Sequence, residues 1–312
     1  MSTTTHPTTD APGATPRAGA RGWTALAVLV LPVLLVAVDG TILAFALPEI
    51  SAALRPSATQ QLWIVDAYPL VLAGLLVTAG WLGDRLGRRR VLLAGAAGFG
   101  LVSLLAATAH TAAQLVAARA ALGLFGATLM PSTLALLRNV FLDRRQRRTA
   151  MAVWAAGFSG GAALGPVVGG WLLEHHPWPS VFLVNVPVML VLLVAGRLLL
   201  PESRDPAPGR LDVASVVLSL ATAAPVVHGV KHLAHDGLDA VSVGALALGT
   251  ASGVVFVRRQ HRLAHPLLDV ALFRLPVFRT AVLANLMSVL ALTGLLYCLS
   301  QQLQLVLGAS PV

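Results

Sequence analysis

The sequence predicts an all-α protein that crosses a lipid bilayer many times. Of its 312 residues, 56% are hydrophobic and 11% are charged, whereas a typical soluble domain has about 25% charged residues. Nine long apolar stretches follow one another along the chain, and a membrane-spanning helix needs about 20 such residues. A large soluble helical bundle would need a polar face on each helix, and these stretches lack one.

The predicted spans follow a polar N-terminal segment. Residues 1–22 are rich in Thr, Ala, Pro and Gly without apolar periodicity, so we expect a disordered tail there. The next apolar run is too long for the core of a signal peptide and contains Asp39, so we expect it to be retained as the first helix. The nine spans are 23–47, 61–83, 90–109, 112–140, 149–173, 179–200, 211–230, 239–257 and 277–307.

Basic residues divide unequally between the two sides of this topology. Nineteen of the 22 Lys and Arg residues fall in the tail or in the connections after even-numbered spans. Arg55 and Lys231 fall on the other side, and Arg119 lies within a span. Because cytoplasmic loops are enriched in Lys and Arg, we expect a plasma-membrane protein with a cytoplasmic N-terminus. The net charge of +9 then serves to anchor the chain to anionic lipid, and we expect no nucleic-acid partner.

Three charged residues lie within predicted spans: Asp39 in the first, Asp66 in the second and Arg119 in the fourth. A charge at the bilayer centre costs about 2.5–3.5 kcal/mol on insertion scales, so such residues usually face a cavity or pair with one another. A buried carboxylate can exchange a proton for a cation, which makes these residues candidates for proton coupling or substrate binding. In the alternative interpretation, the carboxylates reach the interface from helix ends and Arg119 has a structural role.

A short basic turn joins the second and third spans. Residues 80–90 read GWLGDRLGRRR, with three glycines, one aspartate and four arginines. The glycines at 80 and 83 would allow close helix contact, and the aspartate at 84 is spaced to pair with the arginine at 88. The candidate residues of this turn are Gly80, Gly83, Asp84, Arg85, Gly87, Arg88 and Arg89.

The fifth span contains four glycines at a strict spacing of four residues. This spacing leaves one helix face bare, so that another backbone can approach closely. The proline removes a backbone hydrogen bond and can bend the helix. Ordinary tight packing would explain a shorter glycine pair, whereas this longer pattern is more specific. Its residues are Gly157, Gly161, Gly165, Pro166, Gly169 and Gly170.

Together these motifs resemble those of the major facilitator superfamily. The 80–90 turn is similar to the signature loop between helices two and three, and the 157–170 stretch resembles the antiporter motif of helix five. Arg119 resembles the arginine of the fourth-helix motif, which is implicated in proton coupling. Residues 39–48 resemble the first-helix motif of the 14-helix drug:proton antiporters, with Ala44 where that motif usually has asparagine.

The resemblance implies a six-helix bundle at 23–200, a linker region with two helices at 201–276, and the first helix of a second bundle at 277–312. It implies a proton antiporter for lipophilic or cationic compounds, with the 80–90 turn as a cytoplasmic gate, and no enzyme activity, metal or cofactor. The sequence ends about five helices short of a second bundle, so we expect this chain alone to be inactive. The alternative is a non-transporting partner in a membrane assembly; the oligomeric state stays open.

Overall fold

Helices account for every regular element in residues 17–205, 212–263 and 266–301, the residues that the computed structural model describes. Within these ranges the predicted all-α fold class is confirmed. In chain order the helices are α1 (Ala20–Leu54), α2 (Ala58–Leu86), α3 (Arg88–Ala107), α4 (Ala112–Val140), α5 (Arg144–His175), α6 (Ser180–Leu183), α7 (Asn185–Leu199), α8 (Val213–Asp236), α9 (Ala240–Gln260) and α10 (Pro276–Gln301), with a 3-10 helix at Val270–Arg274 before α10.

Eight segments of the described chain are long and apolar enough to cross a bilayer, with α6 and α7 counted as one. They correspond to the first eight predicted spans. The apolar segment identified in α10, Pro276–Ala291, is shorter. The last predicted span, 277–307, therefore agrees with a helix as far as Gln301, and its remaining residues lie outside the described ranges.

The first helix begins earlier than predicted. α1 starts at Ala20, so 20–22 belong to the helix and not to the tail, while residues 1–16 lie outside the described ranges. The backbone amide of Ala18 donates to the side chain of Gln146 (2.8 Å), which donates back to the Ala18 carbonyl (3.2 Å). Trp23 packs edge-to-face on Phe141, with ring centroids 5.1 Å apart. These contacts anchor the start of α1 to the α4–α5 connection.

The fifth helix also begins before its predicted span, at Arg144 instead of 149. Asp143 caps it by accepting a hydrogen bond from the backbone of Gln146 (2.9 Å), a standard way to satisfy a free amide at a helix start. Arg147 donates through Nε to the carbonyl of Phe141 (2.9 Å). The basic residues that were assigned to a loop therefore lie on the first turns of α5.

The sixth span is broken after its first turn, between α6 and α7. Pro187 explains the break, because proline has no amide hydrogen and its ring clashes with the carbonyl four residues earlier, here that of Leu183. Helix α6 ends at that residue, and α7 begins at Asn185. The break thus places a buried asparagine at the start of α7.

Helices α1 to α7 share one core. Helix α1 packs against α5 and α7, α2 against α4, and α3 against α4 and α7. In a bilayer the surrounding lipid is as apolar as the core, so helix association depends on close packing and on hydrogen bonds between helices. Fully buried side chains of this core include Leu29, Ile64, Leu92, Phe99, Leu122, Leu129 and Leu192.

The glycine face of α5 lies directly against α1. A Cβ atom on Gly161 would lie 2.4 Å from the carbonyl oxygen of Leu34, and one on Gly165 would lie 1.8 Å from Oγ1 of Thr41. Gly157 and Gly169 meet side chains of α1 in the same way, at 2.6 and 2.8 Å. The predicted close approach of a second backbone to this face is therefore present. Pro166 and Gly170 are half-buried beside it, and α5 continues through both residues.

Helices α8 and α9 form a hairpin whose α8 side rests on α2. Small residues bring the pair together: a Cβ on Gly249 would lie 2.6 Å from Val226. At one end of the hairpin, Arg259 donates two hydrogen bonds to Asp212, at 2.7 and 2.9 Å. These bonds lower the pKa of the Asp212 carboxyl well below its usual range, so Asp212 and Arg259 form a charged pair at neutral pH.

The glycine face gives a matched pair of substitutions on one helix. We expect Gly161→Ala to lower the thermal midpoint of the purified protein by several degrees, because the new methyl group would collide with the backbone of α1 and overpacking costs about 1–3 kcal/mol. The Cβ of Gly160→Ala would meet nothing within 4 Å, so this control should be neutral or slightly stabilising. Equal midpoints for the two variants would contradict the observed packing.

Candidate functional site

Two of the predicted charged residues form a buried ion pair in the core. Nη1 of Arg119 on α4 lies 2.7 Å from Oδ2 of Asp39 on α1, and both side chains are 1% exposed. Arg119 also donates through Nε to the backbone carbonyl of Ile64 on α2 (3.1 Å). The arginine therefore binds both a carboxylate and a backbone carbonyl. Burying both charges is tolerable because each is paired and hydrogen-bonded.

Two further polar residues connect this ion pair to α7 and α3. Asn185 on α7 donates through Nδ2 to Oδ1 of Asp39 (3.2 Å) and lies 3.2 Å from Oγ of Ser103 on α3. Both residues are completely buried. The sequence analysis missed them because single Asn and Ser residues are common in apolar spans. One signal was available in the sequence: Asn185 lies two residues before Pro187. A proline leaves backbone groups of the helix without hydrogen-bond partners, and a polar side chain nearby can supply one.

The ring of Tyr68 on α2 also contacts the ion pair, through Arg119. The guanidinium carbon of Arg119 lies 4.5 Å from the centre of the Tyr68 ring, a distance at which an aromatic face attracts a cation. The ring in turn packs edge-to-face on Phe99, at 6.3 Å. The Tyr68 hydroxyl is buried and has no hydrogen-bond partner among the described residues.

The third predicted charge, Asp66, does not join this network. Its two carboxylate oxygens each lie 2.5 Å from Nζ of Lys231 on α8. The side chains are partly exposed, 18% for Asp66 and 39% for Lys231. Asp39 and Asp66 therefore lie in separate ion pairs in this structure. Lys231, which was assigned to a loop, lies within helix α8.

The turn between α2 and α3 contains the predicted ion pair. Asp84, near the end of α2, pairs with Arg88 at the start of α3, and Arg85 lies over the ring of Trp81, 5.3 Å from its centre. Gly87 has φ +110°, a conformation that is readily available only to glycine. The chain can therefore leave α2 and enter α3 without an intervening loop. At the α2 end of the motif, a Cβ on Gly80 would meet Pro131 of α4 at 3.8 Å.

The segment after α7 covers this turn, which the sequence did not reveal. Glu202 accepts a hydrogen bond from the backbone amide of Arg89 (3.0 Å) at the start of α3. Its other oxygen lies 3.7 Å from Nε of Arg90. Next to it, the amide of Arg88 donates to the carbonyl of Ser203 (2.8 Å). A carboxylate is favourable there because the N-terminus of a helix carries partial positive charge.

The described residues contain no group of three or more His, Cys, Asp or Glu side chains that could hold a metal ion. Their distinctive feature is instead a set of charged networks within a bundle of membrane-crossing helices.

Comparison with known proteins agrees with this architecture. The family model described as Major Facilitator Superfamily matches residues 29–309. The chain belongs to the Major Facilitator Superfamily. This is a family of multi-pass membrane transporters.

Three curated relatives from the superfamily illustrate the relationship. The multidrug efflux pump LfrA of Mycolicibacterium smegmatis is 59% identical over 96% of this chain. The methyl viologen resistance protein SmvA of Salmonella typhimurium is 38% identical over 93% of the chain, and the tetracenomycin C resistance and export protein of Streptomyces glaucescens is 38% identical over 100%. The chain spans 59% of the length of each of these relatives.

Tyr68 permits a test of what holds Arg119 in this superfamily member. We expect Tyr68→Phe to retain stability, because the ring is kept and only an unpartnered hydroxyl is lost. Tyr68→Leu should lower the free energy of unfolding by about 1–3 kcal/mol, because it removes the aromatic face from a desolvated cation. Thermal unfolding of the two variants in detergent measures the difference. If Tyr68→Phe is as unstable as Tyr68→Leu, the hydroxyl and not the ring is important.

Glu202 gives a second test, at the α2–α3 turn. We expect Glu202→Ala to speed hydrogen exchange at the amide of Arg89 by about tenfold, because its charge-assisted hydrogen bond at the helix start is lost. The control is Glu49→Ala, since Glu49 accepts a bond from the Trp178 amide in a different loop. It should leave exchange at the turn unchanged. Unchanged exchange in Glu202→Ala would show that the covering segment does not hold the turn.

Proposed function

We propose that this chain forms the first part of a proton-coupled drug efflux transporter in the plasma membrane, with Asp39 and Arg119 as its coupling pair. One observation carries the proposal: a carboxylate and a guanidinium 2.7 Å apart, both 1% exposed, in the centre of a membrane bundle. Intramembrane ionisable residues are costly and generally mark ion or substrate pathways. The names of the relatives, which refer to multidrug efflux, resistance and export, support a small-molecule substrate.

The chemistry of the pair suits proton exchange. Ionised Asp39 accepts hydrogen bonds from Arg119 and Asn185. A proton on Asp39 removes its charge and leaves the buried guanidinium with less compensation, which favours another arrangement of its neighbours. The unpartnered hydroxyl of Tyr68 and the carbonyl of Ile64 are available to Arg119 in that arrangement. One proton thereby changes contacts on α1, α2, α4 and α7.

The same geometry suggests how the change spreads. Asp39 is on α1, and α1 lies against the glycine face of α5 through Leu34 and Thr41. A shift of Asp39 therefore moves a helix that is in close contact with its main neighbour. In this proposal the glycine motif of α5 transmits the proton-driven movement, and the turn at 80–90 gates the cytoplasmic side.

The proposed organisation follows the sequence assignment within the 14-helix drug:proton antiporters. Residues 23–200 form the first bundle, 201–276 a linker with two helices, and 277–312 begin a second bundle. The N-terminus is cytoplasmic, because the ends of the helices on that side carry most of the arginines. Alternating access requires two bundles that rock about a midplane site, so we expect transport only when this chain is joined to a second bundle.

Vesicle transport tests the proposal directly. We expect vesicles containing the chain fused to the remaining 41% of its Mycolicibacterium relative to export ethidium, a lipophilic cation, when a pH gradient is applied; this fraction follows from the 59% coverage. Asp39→Asn should abolish gradient-driven export, because the amide cannot bind and release the proton. The chain alone should give no export.

The control for Asp39→Asn is Asp143→Asn, which makes the same chemical change at a helix cap where asparagine is equally suitable. Normal export in the Asp39→Asn fusion would exclude Asp39 as the coupling residue. An inactive fusion with correctly folded protein would contradict the transport proposal. A stable complex of the unextended chain with another polypeptide would then favour the membrane-assembly alternative.

A further inference from the structure

A cleft of about 390 Å³ lies where α8 begins and α9 ends. Three of its lining residues are arginines: Arg258, Arg259 and Arg262. Its other described lining residues are aliphatic and include Leu218 and Val255. The cleft therefore places positive charge next to an apolar wall, and it has room for a charged group the size of a phosphate.

The cleft has a charged end and an apolar end along the direction of α9. Val255 lies inside the helix, Arg258 and Arg259 lie in its last turn, and Arg262 follows its end. Spacings of three, four and seven residues place side chains on one face of a helix. Val255 is 51% exposed on this face, and Leu218 lies more than one turn inside α8. Charge at the helix ends and apolar surface further inside match the headgroups and acyl chains of one bilayer leaflet.

A buried hydrogen-bond network holds the middle arginine in place. Arg259 donates to both oxygens of Asp212, and Asp212 also accepts a hydrogen bond from Oγ of Ser215 (2.6 Å). Gln260 donates through Nε2 to the same Ser215 oxygen (2.7 Å). Ser215 and Gln260 are 0% and 2% exposed, so this end of the hairpin is a fixed support for the arginines and not a flexible loop.

The positive charge of the cleft is only partly neutralised. Arg258 and Arg262 are exposed and form no ion pair with an acidic side chain of the described residues. Three guanidinium groups and the carboxylate of Asp212 leave two positive charges in excess. Among the described helices α9 packs mainly against α8, so its outer face is open to a ligand with negative charge.

We propose that this cleft binds the headgroup of an anionic phospholipid. The phosphate accepts hydrogen bonds from Arg258 and Arg262, and the acyl chains lie along Leu218 and Val255. Arginine suits this task because its planar fork can donate two parallel hydrogen bonds to phosphate oxygens. Arg259 stays on Asp212 and contributes its charge. A zwitterionic lipid is less favourable there, because its own cationic group would meet the arginines.

This site is distinct from the Asp39–Arg119 pair and does not depend on transport. Attraction between basic loops and anionic lipid is a general surface effect, whereas this cleft predicts one preferred position with a defined set of contacts. A lipid bound there would tie the end of the α8–α9 hairpin to the membrane surface. In the topology expected from the arginine count, that surface is the cytoplasmic one, where anionic lipids are abundant.

Photo-cross-linking locates the bound lipid in the unmodified 312-residue chain. The chain is placed in phosphatidylcholine nanodiscs with a trace of phosphatidylglycerol that carries a diazirine close to its glycerol, and labelled peptides are identified by mass spectrometry. We expect labelling around Leu218 and Val255 to be about tenfold stronger than with the matching phosphatidylcholine probe, because only the first probe has a net negative charge. Equal labelling by the two probes would contradict the site, as would labelling concentrated at other helix ends.

Charge removal separates this cleft from general surface attraction. We expect Arg258→Gln combined with Arg262→Gln to reduce phosphatidylglycerol labelling of the cleft by about tenfold. The control is Arg144→Gln combined with Arg148→Gln, which removes two exposed arginines at the same spacing from the start of α5 and should change labelling little. If both pairs reduce labelling equally, the lipid responds to overall charge and the site is refuted.

A second pair of variants tests the apolar wall. We expect Val255→Asn to weaken labelling several-fold, because the acyl chains lose an apolar contact. Val254→Asn makes the same change at a side chain of similar exposure, 44% against 51%, on a neighbouring helix face, and should have little effect. Equal effects of the two substitutions would show that the acyl chains do not lie on this wall.

A competition experiment distinguishes a lipid from a free anion. Inorganic phosphate at constant ionic strength should leave the labelling unchanged, whereas unlabelled phosphatidylglycerol should remove it. Displacement by inorganic phosphate would identify a site for soluble anions and overturn the lipid assignment. The wild-type comparisons of lipid class, labelled position and competitor need no variant, so they decide the proposal even if a substituted chain does not fold.

Discussion

The ion pair between Asp39 and Arg119 is the constraint around which the first seven helices are arranged. Two opposite charges, each 1% exposed, can remain inside a membrane bundle only when they are paired with each other and hydrogen-bonded to their surroundings. α2 supplies a carbonyl and an aromatic ring, and α7 supplies an amide that also contacts α3. Because so many helices meet at one carboxylate, its protonation state cannot change without consequences for the packing of the whole bundle.

The sequence predicted the fold class, the first eight spans and the residues of the ion pair, because each depends on patterns that are local or chemically extreme. A run of about 20 apolar residues, and a charged residue inside such a run, can both be recognised in the sequence itself. The partners were not visible: Asn185, Ser103 and Tyr68 are ordinary residues that acquire significance through contacts with residues far away along the chain. Glu202 is a similar case, since its contact with Arg89 joins residues 113 positions apart.

Asp66 shows how the partner of a charged residue can be hidden from the sequence. This carboxylate was a candidate for proton coupling or substrate binding, and the structure pairs it with Lys231 of a helix that lies outside the first six spans. Charge counting had placed that lysine in an external loop, because the predicted span ended at 230 and helix α8 continues to 236. An error of a few residues at one helix end was therefore enough to conceal an ion pair, since a single turn decides whether a side chain faces water or a neighbouring helix.

The glycine contact between α1 and α5 limits how these helices can move. Its contact points recur every four residues, which corresponds to about 6 Å along the axis. At each of the four glycines an added Cβ would lie within 2.8 Å of an atom of α1, so the two helices are in close contact along the whole face. Movement of α1 along α5 therefore requires the groups of α1 that fill this face to leave it. A displacement of either helix would carry the other with it, and the two would behave as one rigid unit.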